Sequence, residues 1–420
     1  MKELLSAVRK DAGWKQLDTA LSSGGGTVAV YGLGEAHRPV VTAALGAGRT
    51  ALLVASTQVE ALRLHAALRA YAPDALLYLP RELPLVHLQA VSTERRAQRL
   101  AVLSRLALGT ESLIVTCAEA LMERLAPPAT FLSQLKTVSV GEEHDPRALL
   151  ADLIAAGYER CEQIEGAGQC AQRGDILDVF PPQAPYPYRI EFFGDEIDQI
   201  RTFDPLTQRS LEQAARAILS PAFETPQTPD AMARAARLLK NANGFDLQRE
   251  AWEQRQPCEG ADMLVPLLYT EPATLFDYLP GSAVFLLNEP QRILDEAKAA
   301  ELVFAETVAA TLERGEGHRL QGNLLCPADR LAALLDTPHT AAFYALFRTC
   351  PALSHHARVS FATEPAPQYL SDLGQLTSEL AAMRDKREAV LLYAGEGKTR
   401  IAEHLAGTDL PFAEIGRAHV

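Results

Sequence analysis

The stretch Gly168–Leu211, GQCAQRGDILDVFPPQAPYPYRIEFFGDEIDQIRTFDPLTQRSL, carries the clearest pattern in the chain. Within Tyr188–Phe193 the side chains alternate: Tyr188, Ile190 and Phe192 fall on one face of a strand, and Arg189, Glu191 and Phe193 on the other. The first face reads as core. The second carries an arginine and a large aromatic, which a solvated sheet does not need and a protein-binding surface often has. Gly174–Phe180 and Glu196–Phe203 read as further strands joined by turns, so the stretch is predicted to form antiparallel sheet. Arg173 and Arg189 are expected on neighbouring strands, with Phe193 as an aromatic anchor between guanidinium groups that can pair with a partner's carboxylates. The same residues also fit an ordinary exposed sheet whose arginines pair with Glu191 or Asp195.

Outward from this stretch the grammar changes at Pro127–Pro128. Before it, short apolar strands at Thr27–Tyr31, Ala51–Ala55 and Ser112–Cys117 alternate with helices, which is the pattern of a parallel α/β domain. After it come a strand at Thr137–Val140, a helix at Pro146–Ala156 and the antiparallel strands above. Beyond Pro205, helices are predicted at Leu211–Ala217, Asp230–Asn241 and Gln248–Gln256, and Ala283–Leu287 is again a buried strand. The predicted architecture is a parallel α/β domain in two segments, 1–130 and 216–354, interrupted by an α+β antiparallel-sheet insert at 131–215. A linker at Thr363–Pro367, a helix at Leu370–Met383 and a strand at Ala389–Tyr393 make 355–420 part of a small further α/β unit.

Composition narrows the function classes. With 420 residues, 48% hydrophobic and 22% charged, the chain has the make-up of a soluble protein of several domains. A net charge of -13 repels polyanions, which disfavours autonomous nucleic-acid binding. The six cysteines are scattered, without a CxxC pair or a histidine cluster at metal-ligand spacing, so no metal site is expected and the thiols read as reduced. Neither a signal peptide nor an apolar run of spanning length is evident, so no membrane association and a cytoplasmic location are expected.

Three places could carry nucleotide chemistry. Tyr31–Pro39, YGLGEAHRP, occupies the strand-to-helix turn where a phosphate loop would lie, but His37, Arg38 and Pro39 stand where lysine and a hydroxyl are needed. Leu287–Pro290, LNEP, offers Asn288 and Glu289 at a strand end where an ATPase keeps an aspartate for magnesium. In Val390–Thr399, VLLYAGEGKT, the residues Gly395, Gly397, Lys398 and Thr399 match the end of a phosphate loop, but Leu392 replaces its first glycine. No catalytic constellation of Ser, His and Asp or of paired carboxylates emerges.

The motifs RGDILDVFPP, YRIEFFGDEIDQIRTFDPLTQRSL, GYERCEQIEG and LPRELPL with STERRAQRL resemble the module shared by the bacterial transcription-repair coupling factor (Mfd) and the excision-repair protein UvrB. The altered loop at His37–Pro39 and the lack of a long hairpin favour the coupling-factor family. The resemblance implies a degenerate helicase-like α/β domain and an insert that binds UvrA through two arginines and a phenylalanine, matching Arg173, Arg189 and Phe193, with Arg201 beside them. It implies no catalytic residue and no cofactor in this chain. ATP and magnesium serve the family's motor domains, an ATP-driven DNA translocase, and RNA polymerase and duplex DNA engage domains that would lie beyond residue 420. The alternatives are a helicase-like ATPase and a UvrB-type damaged-DNA clamp. The last residues, EIGRAHV, do not continue the third domain's pattern and resemble translated adapter sequence, so a gene fragment is expected.

Overall fold

The computed structural model describes residues 2–86, 92–364, 372–386, 390, 392 and 397–412. The first segment supplies β1 (Thr27–Tyr31), β2 (Ala51–Ala55), β3 (Leu76–Tyr78) and β4 (Leu113–Cys117). The insert supplies β5 (Lys136–Ser139), β6 (Glu159–Arg160), β7 (Gln169–Arg173), β8 (Ile176–Val179), β9 (Tyr188–Phe193), β10 (Glu196–Phe203), β11 (Ser210–Gln213) and β12 (Arg216–Leu219). The chain then returns with β13 (Val284–Asn288), β14 (Thr340–Phe343) and β15 (His355–Ser360).

The seven strands of the α/β body form one parallel sheet in the order β15-β1-β14-β13-β2-β4-β3. Every residue of β1, β2 and β13 is buried, because helices cover both faces of a parallel sheet and leave no polar alternation to read. The strands of the second segment sit at the centre, with β13 and β14 between β1 and β2. The two segments therefore make one core.

The insert has its own core. Its six-stranded sheet runs β11-β10-β9-β8-β7-β6, antiparallel except where the two-residue β6 lies parallel to β7. Leu149 and Leu153 of the helix Pro146–Ala155 pack on Leu177, Val179, Ile190, Phe192, Ile197 and Ile200 from the sheet. A third core gathers the helices Pro229–Leu238, Asp246–Glu253 and Val265–Leu268 around Phe245 and Trp252.

One expectation is corrected. The helix predicted at Leu211–Ala217 is instead β11 and β12, since β12 pairs antiparallel with β5 and that pairing overrides the helical composition of EQAARAIL. His355 and His356 open β15, the edge strand beside β1, so the parallel sheet continues past residue 354, and His355 Nε2 lies 2.8 Å from the Tyr344 hydroxyl. The helix expected at Leu370–Met383 is present over Leu373–Asp385, whereas most of the strand expected at Ala389–Tyr393 and most of the linker at Thr363–Pro367 fall outside the described residues. Among the described residues no helix is long and apolar enough to cross a membrane.

Candidate functional site

Register builds the candidate face from the backbone upward. β9 lies between β8 and β10, and the pairing sets Asp178 opposite Arg189 and Arg189 opposite Arg201. Tyr188, Ile190 and Phe192 turn towards the insert's core, so Arg189, Glu191 and Phe193 share the other face, as alternation requires.

On that face the cations are already held. Arg189 donates from Nε to Asp178 Oδ1 and from Nη2 to Oδ2, both at 2.7 Å, and its guanidinium lies 4.4 Å from the Phe203 ring centre. The hydrogen bond to Asp178 raises the Arg189 pKa, so this side chain is a permanent cation. Arg201 donates to Glu191 on the adjacent strand. The arginines thus pair with Asp178 and Glu191, not with Asp195.

Phe193 is different. It ends β9 just before the turn at Gly194 and is 83% exposed, a large apolar surface placed in water with no packing reason. The backbone hydrogen bond from Phe192 to Asp175 brings the turn after Arg173 alongside. Arg173 itself is exposed and donates from Nε and Nη2 to the Glu162 carbonyl, at 3.0 and 2.6 Å.

The expectation that Arg173 and Arg189 lie on neighbouring strands is corrected. The tight turn at Gly174–Asp175 folds β8 back between β7 and β9, which separates the two backbones by two strand spacings, about 10 Å. The face therefore has an outer tier, Phe193 and Arg173, and an inner tier, Arg189 with Asp178 and Arg201 with Glu191. Held guanidinium groups lose less rotamer freedom on docking than free ones. Sequence reading missed Asp178, although a charged residue at an alternating position of a buried strand is a signal for such a partner.

At the first two positions considered for nucleotide chemistry the side chains bond one another. Arg38, 3% exposed, donates to Leu33 O at 3.2 Å, to Asn288 Oδ1, and to Glu289 Oε1 at 2.7 Å. Asn288 in turn donates to Glu60 Oε1 at 2.8 Å, and the Ala345 amide donates to Glu289 Oε1 at 2.9 Å. Arg38 thus ties the turn after β1 to Asn288 and Glu289 at the end of β13. Gly32 closes the turn at φ +79°, and a Cβ there would stand 2.0 Å from the Phe361 carbonyl. Among the other loop residues, Gly397 precedes the helix Lys398–Ala406, which Lys398 and Thr399 begin. Gly395 lies outside the described residues.

Residues 137–224 match the family model described as UvrB interaction domain. The chain is 28% identical over 338 residues to the transcription-repair-coupling factor of Bacillus subtilis, covering 75% of this chain and 29% of that protein. It is 34% identical over 196 residues to the Haemophilus influenzae factor, 45% of this chain and 17% of that one. The Escherichia coli factor is 28% identical over 277 residues, 63% of this chain and 23% of its own length. The chain spans less than a third of the length of these relatives.

Proposed function

We infer that this chain, a homologue of transcription-repair-coupling factors with a UvrB interaction domain at residues 137–224, serves transcription-coupled excision repair by receiving UvrA on the face of β8, β9 and β10. The observation that carries the reading is Phe193. A fully buried phenylalanine contributes to folding, whereas one 83% exposed on a hairpin end beside a row of held arginines contributes when a partner covers it. The arginines supply orientation and select for an acidic rim on the partner.

In this reading Arg173, Phe193, Arg189 and Arg201 act together, Phe193 as the apolar anchor. Phe193→Ala is expected to weaken UvrA binding by about 2 kcal/mol, roughly thirtyfold, with an unchanged melting temperature. A pull-down titration giving native affinity for the variant would sink the assignment.

The same reading makes the α/β body a scaffold, in which ATP and magnesium have no role. RNA polymerase and duplex DNA would be engaged by other parts of a longer coupling factor, together with its translocase. The Arg38, Asn288, Glu289 and Glu60 contacts support this, because a nucleotide would have to break them before it could bind. A fluorescent ATP analogue is expected to show no saturable binding. Radiolabelled ATP turnover that disappears in Lys398→Ala would contradict the scaffold role.

A further inference from the structure

The insert leaves and rejoins the α/β body through two chain passages, and one buried arginine grips both. Arg99 lies in the helix Thr93–Ala107 and its side chain is 1% exposed. It reaches Glu123, just before the chain enters the insert, at 2.9 Å. Its Nε donates to Glu224 Oε2, just after the chain returns, at 2.7 Å. Its other hydrogen bonds run from Nη1 to the Leu79 carbonyl and from Nη2 to the Tyr78 hydroxyl and to Glu224 Oε1. Arg81 adds a second cation, taking Glu123 Oε1 on its backbone amide at 2.6 Å and approaching Glu123 Oε2 with Nε at 3.3 Å. Two arginines and two glutamates balance in charge, and Asp262 stands on the rim 3.6 Å from Arg81.

The returning segment is also keyed into the insert itself. The Ala222 amide donates to Ala156 O at 2.9 Å, and the Tyr158 hydroxyl donates to Ser220 O at 2.6 Å. The Phe223 ring sits against Gly157, whose φ is +96° and where a Cβ would stand 2.4 Å from the ring. On its body side Phe223 lies 6.0 Å from the Arg96 guanidinium. Residues 220–224 are thus clasped by the insert through Ala156–Tyr158 and by the body through Arg96 and Arg99.

We propose that Arg99 and Glu224 are positioning residues that lock the insert in one orientation on the α/β body, with Phe223 as the interlocking ring. The stem β5–β12 is a two-stranded ribbon, which by itself would leave two compact units free to swing. Two hydrogen bonds from the guanidinium to Glu224 on the returning passage, with an ion pair to Glu123 on the entering one, remove that freedom. The docking face is therefore presented in a fixed direction rather than sampled by a mobile module.

The test measures orientation without any partner, so it stands apart from the docking assignment. Spin labels at Ala151→Cys on the insert and Ala67→Cys on the body, with Cys161→Ser and Cys258→Ser, report the inter-unit distance by pulsed dipolar spectroscopy. The parent is expected to give one narrow distance. Glu224→Gln is expected to broaden the distribution at least about twofold, as units joined by a small interface do when its key contact goes. Arg99→Met combined with Glu224→Met removes that ion pair while keeping apolar volume and leaves Glu123 its hydrogen bond from the Arg81 amide, so it is expected to fold and to broaden the distribution equally. A native width in the folded double variant, or a broad distribution in the parent, overturns the proposal.

Discussion

Replacing Arg99 with alanine is expected to lower the free energy of unfolding by about 3–5 kcal/mol, read as a lower urea midpoint. Two carboxylates would be left buried, since the Glu123 and Glu224 side chains are 1% and 3% exposed. Burial pushes the Glu123 carboxyl up. At Glu224 burial works the same way, but Arg99 and then Arg81 outweigh it and hold that carboxyl below its ordinary range. Arg81 cannot take over the missing role, because its Nη1 stands 3.9 Å from Glu224 and makes no aligned hydrogen bond there. The contrast is the exposed pair Arg63–Glu35, 2.7 Å apart, where Arg63→Ala is expected to change stability by no more than about 0.5 kcal/mol. A loss under about 1 kcal/mol for Arg99→Ala would mean that water reaches the cluster and screens it.

This cluster was not legible from sequence. STERRAQRL reads as an arginine-rich solvated helix, and the one local sign against it is that Val102, Leu103 and Leu106, at i+3, i+4 and i+7, put Arg99 on the apolar face. Its partners lie 24 and 125 residues away, and only the return of the chain from the insert brings Glu224 there. What was legible had a period. The alternation in Tyr188–Phe193 gave the two faces of β9, and the short apolar runs gave β1, β2, β4 and β13. The failures follow the same logic. β12 has a helix-forming composition and becomes a strand only through β5. β14, TAAF, is too short and too small in its side chains to stand out, although it lies at the sheet's centre. The arginine pairings depend on three-strand register, which one strand's pattern does not contain.

Arg189→Ala is expected to do two separable things: destabilise the insert by about 3 kcal/mol and weaken UvrA binding at least as much as Phe193→Ala does. The stability loss arises at Asp178, 7% exposed, which would lose both of its 2.7 Å hydrogen bonds and keep its charge opposite the apolar Ala171. Changing Asp178 to asparagine in the same chain removes that stranded charge, so Arg189→Ala with Asp178→Asn should melt within a few degrees of the parent. If the proposed docking face is right, binding should not return, because the cation assigned to the partner is still absent. A thermal melt and a pull-down titration on the two variants therefore divide the arginine's structural part from its recognition part. If the double variant binds UvrA with native affinity, Arg189 only shapes the sheet, and recognition belongs to Phe193 and Arg173 in the outer tier. If it binds weakly while folded, the inner tier is read by the partner directly, and Asp178 is the residue that aims it.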